Sequence, residues 1–334
     1  MRLGINFRAI DWPSLSSGRS RSLGRLAVGI AKLLLSGGLI GYLLYHHGPD
    51  YKRLEGIDPV LCMMAAAMFV LQIALNTIRW RLILTHLTGT KPPYYRLFGI
   101  YYASIFFSQI LPSVGGDLVR VFYRRILNST LESMAISVVL DRGVAIVALL
   151  LVALPSVLFL APFDPEHRVL GWIVFVASSG LMAAYGGCLV VTSVRRSRVW
   201  LGLPQWTRTL VVSGAWSISS RTGLRCLIPL STVVHFLSFA TIFLAAHAVH
   251  VPLTFLVVFA IGPALLLAHV LPISIGGWGV REVTAVALLG MTGVDATSAL
   301  LVSIMFGVLL VLATLPGAVF WLMLRVSPSP VRAG

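Results

Sequence analysis

The chain has 334 residues, of which 57% are apolar and only 11% charged, with 26 Lys and Arg against 11 Asp and Glu for a formal net charge of +15. A soluble domain carries about 25% charged residues, so charge this scarce cannot clothe a soluble surface, which excludes a soluble enzyme, a DNA-binding domain and a disordered linker. In a membrane protein the positive excess is tested first against the preference of basic loops for the cytoplasmic side, before nucleic acid is considered.

Residues 1–26 form a basic N-terminal segment with Arg2, Arg8, Arg19, Arg21 and Arg25. The apolar run 27–46 has full spanning length, about 20 residues, and lacks a small-x-small cleavage exit, which predicts an uncleaved first span. It holds Gly37-x-x-x-Gly41, a close-packing signature. A second span covers 60–84 and carries Ile78-Arg79-Trp80-Arg81 near its end. Snorkelling arginines beside an interfacial tryptophan account for that element. Contact of Arg79, Trp80 and Arg81 with headgroup phosphates is the functional alternative.

The next apolar stretch, 97–127, breaks at Leu111-Pro112-Ser113-Val114-Gly115-Gly116-Asp117. Proline removes a backbone donor and bends a helix, and a glycine pair permits a tight turn. Unpaired backbone at membrane depth is tolerated only inside protein or beside water, so the stretch predicts a re-entrant hairpin. Asp117 and Arg120, three residues apart, share one face of its returning half.

Full spans follow at 131–160 and 169–193. Asp141 and Arg142 lie about 15 Å into the first of these, half of a ~30 Å hydrocarbon core. Adjacent residues point about 100° apart on a helix, so this pair must reach other helices, as structural ion pairs or as a gate. Segment 194–226 has Arg195, Arg196, Arg198, Arg208, Arg221 and Arg225, no acid, and Trp200, Trp206 and Trp216. It fits either a helix lying on the inner leaflet or an ordinary basic loop. A further span covers 227–250.

The second interrupted stretch, 253–290, breaks at Leu271-Pro272-Ile273-Ser274-Ile275-Gly276-Gly277-Trp278-Gly279 and is followed by Arg281 and Glu282. It predicts a second hairpin. A last span covers 296–324, and 325–334 is a short tail. Ionisable groups deep in a bilayer mark a functional site by default. Arginine beside a half-helix N-terminus suits phosphate or carboxylate. Alternatively, each arginine pairs with a neighbouring acid and merely holds its hairpin shut. His235 and His269, inside apolar runs, read as hydrogen-bonded core residues, with haem ligation the alternative. His247 and His250 read as interfacial. Cys62, Cys188 and Cys226 read as small buried residues without disulfide or metal spacing. No catalytic or nucleotide motif appears, so neither enzyme activity nor a cofactor is expected.

With the N-terminus inside, segments 1–26 and 194–226 and the flanks Lys91, Arg96, Arg124 and Arg125 fall on the cytoplasmic side. Outside fall Lys52, Arg53 and Arg168 against Asp50, Glu55, Asp58, Asp164, Glu166 and Asp295. This asymmetry predicts both termini in the cytoplasm and accounts for most of the +15. Leu-Pro, a glycine pair and an arginine recur as Leu111-Pro112…Gly115-Gly116…Arg120 and Leu271-Pro272…Gly276-Gly277…Arg281. Three full spans separate the two, so the hairpins enter from opposite sides. The expected architecture is an all-α polytopic bundle of six full spans and two re-entrant hairpins in inverted-repeat arrangement, the pattern of a transport site.

Leu111-Pro112-x-x-Gly115-Gly116-Asp117-Leu118-Val119-Arg120, Leu140-Asp141-Arg142, Gly276-Gly277-Trp278-Gly279-Val280-Arg281-Glu282 and Ile78-Arg79-Trp80-Arg81 together resemble the lysylphosphatidylglycerol synthase transmembrane family, also called the flippase-like domain family, over roughly 27–324. The resemblance implies one flippase-like transmembrane domain in a bacterial inner membrane that translocates lipids of envelope or glycan pathways. Two departures stand out: the family's Glu-Arg is Asp141-Arg142 here, and Ala145 stands where a further acid is typical. No aminoacyl transferase activity is expected to carry over, because only ten residues follow Leu324.

The expected function is translocation of an anionic or phosphate-bearing lipid, a phospholipid or polyprenyl phosphate. Arg120 and Arg281 would engage the headgroup, Gly115, Gly116, Gly276 and Gly277 would form the turns, and Asp117, Glu282, Asp141 and Arg142 would form competing ion pairs. The alternatives are an accessory protein of a glycosyl- or acyl-transferase pathway and a transporter of a small soluble anion. Expected partners are membrane lipid, a second copy of the chain and envelope-biosynthesis enzymes; no nucleic acid or metal is expected.

Overall fold

The structure, a computed structural model, describes residues 56–111, 115–160, 202–270 and 276–326, with scattered positions between 34 and 46 and between 175 and 190. Among the described residues all regular structure is helical. The predicted spans 27–46 and 169–193 lie in large part outside the described residues, although their described positions are helical. Cys188, the Leu-Pro of the second break and Pro112 to Val114 of the first also lie outside them.

Helix α1, Pro59–Thr88, starts where the Asp58 carboxylate accepts from the Val60 amide at 2.8 Å, and it stops at Gly89, whose φ of 69° suits a residue without a Cβ. Helix α2, Tyr94–Ile110, leads to the first break, and α3, Gly115–Phe122, returns from it into a short 3-10 turn, Tyr123–Arg125. Helix α4, Leu131–Leu160, begins where Thr130 Oγ1 accepts from the Ser133 amide. Helix α5 spans Gln205–Ser219, and a π-turn at Gly223–Leu227 runs into α6, Ile228–Ala248. Helix α7, Phe255–Val270, leads to the second break, and α8, Val280–Met291, returns from it. Asp295 then caps α9, Ala296–Thr314, and Pro316 opens α10, Pro316–Val326.

Among the described residues four segments are long and apolar enough to cross a membrane: Pro59–Thr88, Leu131–Ser156, Gly223–Ala248 and Ala296–Leu324. A core built from α1, α4, α6, α7, α8 and α9 closes around Phe69, Phe239, Ile261, Leu289 and Phe306. A second packs Trp80 and Leu84 against Leu97, Ile100, Tyr101 and Met134. Polar pairs link helices within the apolar interior: Gln72 Nε2 donates to Thr241 Oγ1 at 3.2 Å, and Ser238 Oγ donates to Gln72 Oε1 at 2.8 Å. On the outer faces large apolar side chains such as Met63, Leu154, Leu312, Leu322 and Met323 lie exposed. An apolar exterior of this kind is what a lipid environment requires.

Three expectations are corrected here. Gly37 and Gly41 make no close packing with the described residues, since a Cβ at either would meet none of their atoms within 4 Å. Cys226 is exposed and not buried, because it lies on the outer side of the π-turn. The 194–226 segment is not simply a loop: α5 packs on α4, and Trp216 stacks on His86 with ring centroids 3.6 Å apart.

Candidate functional site

Two helices place the first charged group at one depth. Arg79 lies nine residues before the end of α1 and Asp141 ten residues after the start of α4. Both are about 14–15 Å from the same end of the bundle, near the middle of a ~30 Å core. The side chains meet there. Arg79 Nε donates to Asp141 Oδ1 at 2.8 Å and Arg79 Nη1 to Ser231 Oγ at 3.1 Å. Asp141 Oδ2 accepts from Arg120 Nη1 at 2.8 Å.

Arg120 also donates to Asp117, one turn earlier on α3. Asp117 in turn accepts from Arg142 Nε at 3.1 Å and Nη2 at 3.2 Å. The result is a chain, Arg79–Asp141–Arg120–Asp117–Arg142, in which each acid is shared by two arginines. The divergence of neighbouring helical residues explains it: Asp141 turns toward α1 and α3 while Arg142 turns toward Asp117 alone.

The chain is anchored at one end and open at the other. Arg120 is 1% exposed and lies over two aromatic faces, Tyr101 with centroid at 4.8 Å and Trp80 at 5.3 Å. The Trp80 indole donates to Ser137 Oγ at 3.0 Å. The Arg142 side chain, by contrast, is 40% exposed. The interfacial reading of Arg79 and Trp80 is therefore corrected: both are buried, because α1 runs past the apolar run to Thr88 and carries Arg79 into the interior. Arg81 remains partly exposed and donates to the Pro92 carbonyl at 2.8 Å.

The glycines of the first break serve close packing. A Cβ on Gly116 would overlap Ser108 Oγ and the Ser104 carbonyl, and Ser104 Oγ donates to the Gly116 carbonyl at 2.7 Å. This brings α3 back against α2. A Cβ on Gly115 would overlap Leu111. At the second break Gly276, Gly277 and Gly279 have φ of 57°, 79° and 87°, a region that L side chains rarely adopt. A Cβ on Gly276 would stand 3.3 Å from the Gln109 carbonyl, which places the two breaks side by side.

After that turn Arg281 Nε donates to Glu282 Oε1 at 2.9 Å and to Ser303 Oγ at 3.2 Å. Glu282 Oε2 accepts from the Gly279 amide at 2.6 Å, so the helix supplies its own anion at its N-terminus. The Arg281 guanidinium lies over Trp278, with centroid at 4.6 Å, and fits only because Gly307 on α9 has no Cβ. Arg281 thus matches the expectation of an arginine held by its own neighbouring acid, and Glu282 occupies the amide end expected to face an anion.

Sequence reasoning missed Tyr101, Ser231 and Ser303, and its reading of His269 as a hydrogen-bonded core residue is corrected: the ring is buried, but its Nδ1 has no hydrogen-bond partner among the described residues. The ring of His269 packs on Gly277 and lies within electrostatic reach of both Arg281 and Arg142. It lines, with Arg281 and Ser303, a small cavity of about 20 Å³, enough to admit a water molecule. His235 is a hydrogen-bonded core residue as expected, its Nε2 lying 2.9 Å from the Ala145 carbonyl. Among the described residues no three His, Cys, Asp or Glu side chains gather as a metal site.

The model of one family, described as the lysylphosphatidylglycerol synthase TM region, matches residues 29–317, and the chain belongs to that family. No curated protein matches the chain.

Proposed function

We propose that this member of the lysylphosphatidylglycerol synthase transmembrane family translocates an anionic, phosphate-bearing lipid between the leaflets of a bacterial inner membrane, without catalysing a covalent reaction. The observation that carries this reading is a charge imbalance. Among the described groups of the site, Arg79, Arg120, Arg142 and Arg281 stand against Asp117, Asp141 and Glu282, one positive charge in excess. An unpaired charge at membrane depth is costly. The excess falls in the first group and is accessible at Arg142. A lipid phosphate arriving there would complete the pairing.

The expected topology belongs to the same proposal: six full spans, both termini cytoplasmic, and two re-entrant hairpins of opposite entry. Its support is that α3, with 8 residues, and α8, with 12, are too short to cross alone and each packs on the helix before its break. Arg120 and Arg281 become framework residues in this reading, and Arg142 the headgroup contact. The ion pair of Arg281 with its own neighbour Glu282 is the observation that favours an accessory, non-transporting role instead.

Leaflet exchange in liposomes tests the proposal. Fluorescent phosphatidylglycerol and a labelled polyprenyl phosphate are followed separately with purified protein. Exchange of one of them is expected to accelerate, and Arg142→Gln to reduce the gain about tenfold or more, the loss of a charge-assisted hydrogen bond. Equal rates in protein-containing and empty liposomes would overturn the translocase reading. Movement of a water-soluble phosphate alone would replace it with soluble-anion transport.

A further inference from the structure

A second feature lies away from the buried charges. The start of α2, the 3-10 turn after α3 and the end of α10 frame a groove of about 510 Å³ lined by Tyr94, Tyr95, Phe98, Ile126, Phe320 and Met323. That volume falls in the range of about 300–1,000 Å³ typical of ligand sites. Its floor exists because residue 99 is glycine: a Cβ there would stand 3.3 Å from Phe320 Cδ1 and point into the space between α2 and α10.

The rim is basic. Arg96, which lines the groove, is exposed; its Nε donates to Tyr95 Oη at 3.2 Å, which holds the guanidinium at the mouth. Arg124 and Arg125 immediately precede Ile126, and Lys91 precedes α2. Between Lys91 and Arg125 the sequence has one acid, Asp117, already held by Arg120 and Arg142. No carboxylate of that stretch is available to neutralise the rim.

The depth fits a headgroup boundary. The groove begins at the first residues of α2, at the bundle end where α1 stops and α4 starts, and continues down past Phe98 and Phe320. Aromatic residues at the mouth and basic residues beside them form an interfacial belt. We infer that this groove is a binding site for one anionic phospholipid of the adjacent leaflet, with an acyl chain along Phe98, Phe320 and Met323 and the phosphate at Arg96. A zwitterionic phospholipid offers the same chain but cancels the headgroup charge that the rim selects. The site is distinct from the buried ion pairs, and occupancy requires no transport.

Native mass spectrometry of the full chain tests this in detergent, with an equimolar mixture of phosphatidylglycerol and phosphatidylcholine of identical acyl chains. The wild-type chain is expected to retain one phosphatidylglycerol in preference to phosphatidylcholine. Arg96→Gln is expected to lower that preference about fivefold, the fold-change equivalent to the ~1 kcal/mol of one interfacial arginine on an anionic surface. Gly99→Leu is expected to abolish retention of either lipid at this site. Equal retention of the two lipids by wild type overturns the inference, as does unchanged preference in Arg96→Gln. The latter substitution is on the surface and leaves the core packing untouched. A dimeric mass with no retained lipid also overturns it, in favour of a second copy covering the groove. Because lipid is counted and not moved, failure here is separable from failure of the translocase reading.

Discussion

Asp141→Asn should be among the most damaging single substitutions in the chain. The Asp141 carboxylate is 1% exposed and holds two guanidinium groups, Arg79 Nε on Oδ1 and Arg120 Nη1 on Oδ2, both at 2.8 Å. The amide keeps one acceptor oxygen and turns an N–H toward the other arginine, a donor facing a donor. One charge-assisted bond, about 1.5–3 kcal/mol, is lost outright. Two buried arginines also lose their common counter-charge, and breaking a buried pair from one side costs about 3–5 kcal/mol. The larger figure should govern, because the pair lies at mid-depth and Arg120 cannot withdraw from between Trp80 and Tyr101. Reversible unfolding in mixed micelles with increasing SDS reads the difference directly. A loss below about 1 kcal/mol would refute the reasoning, since it would mean that Asp141 is not what satisfies the two arginines.

Gly307→Ala places a methyl group where the Arg281 guanidinium lies, so α8 and α9 must separate; a loss of about 1–3 kcal/mol in the same SDS titration is expected. Gly277→Ala must adopt φ near 79° and displace the His269 ring, costing at least about 1–2 kcal/mol, whereas Gly143→Ala, with open space around it, should be nearly silent. Gln72→Leu should cost less than about 1 kcal/mol, because Ser238 and Thr241 retain bonds to the Val234 and Leu237 carbonyls of their own helix. A larger loss in Gln72→Leu would show that α1 and α6 depend on that polar bridge.

The interruptions were legible because proline and glycine act through the backbone, which is a property of the residue and not of its neighbours. Adjacency alone showed that Asp141 and Arg142 must find their partners on other helices. Arg79 was misplaced because hydropathy ends the apolar run near Leu84, while the helix continues to Thr88. Four more residues of helix put Arg79 well inside. Tyr101, Ser231 and Ser303 gave no signal, since an uncharged polar side chain in an apolar run does not reveal which face meets a charge. The roles of Arg120 and Arg281 depended on who shares each acid, which is decided by three-dimensional packing.

The two breaks carry the same residues in the same order, yet their electrostatics differ. Around the second, Arg281 and Glu282 neutralise each other, and Glu282 also takes the Gly279 amide, so the half-helix N-terminus is already occupied. Around the first, two acids are divided among three arginines, and the third, Arg142, is exposed. An approaching anion therefore gains more at the first break than at the second, where it would have to displace Glu282. Asp117 is the acid such an anion would compete with, because its bonds to Arg142, at 3.1 and 3.2 Å, are longer than those Asp141 makes at 2.8 Å. Moving Arg142 from Asp117 to a phosphate leaves Asp117 on Arg120, so the exchange costs no orphaned charge. Under the proposed function, that feature would suit the first break to binding and release, and the second to holding its turn closed.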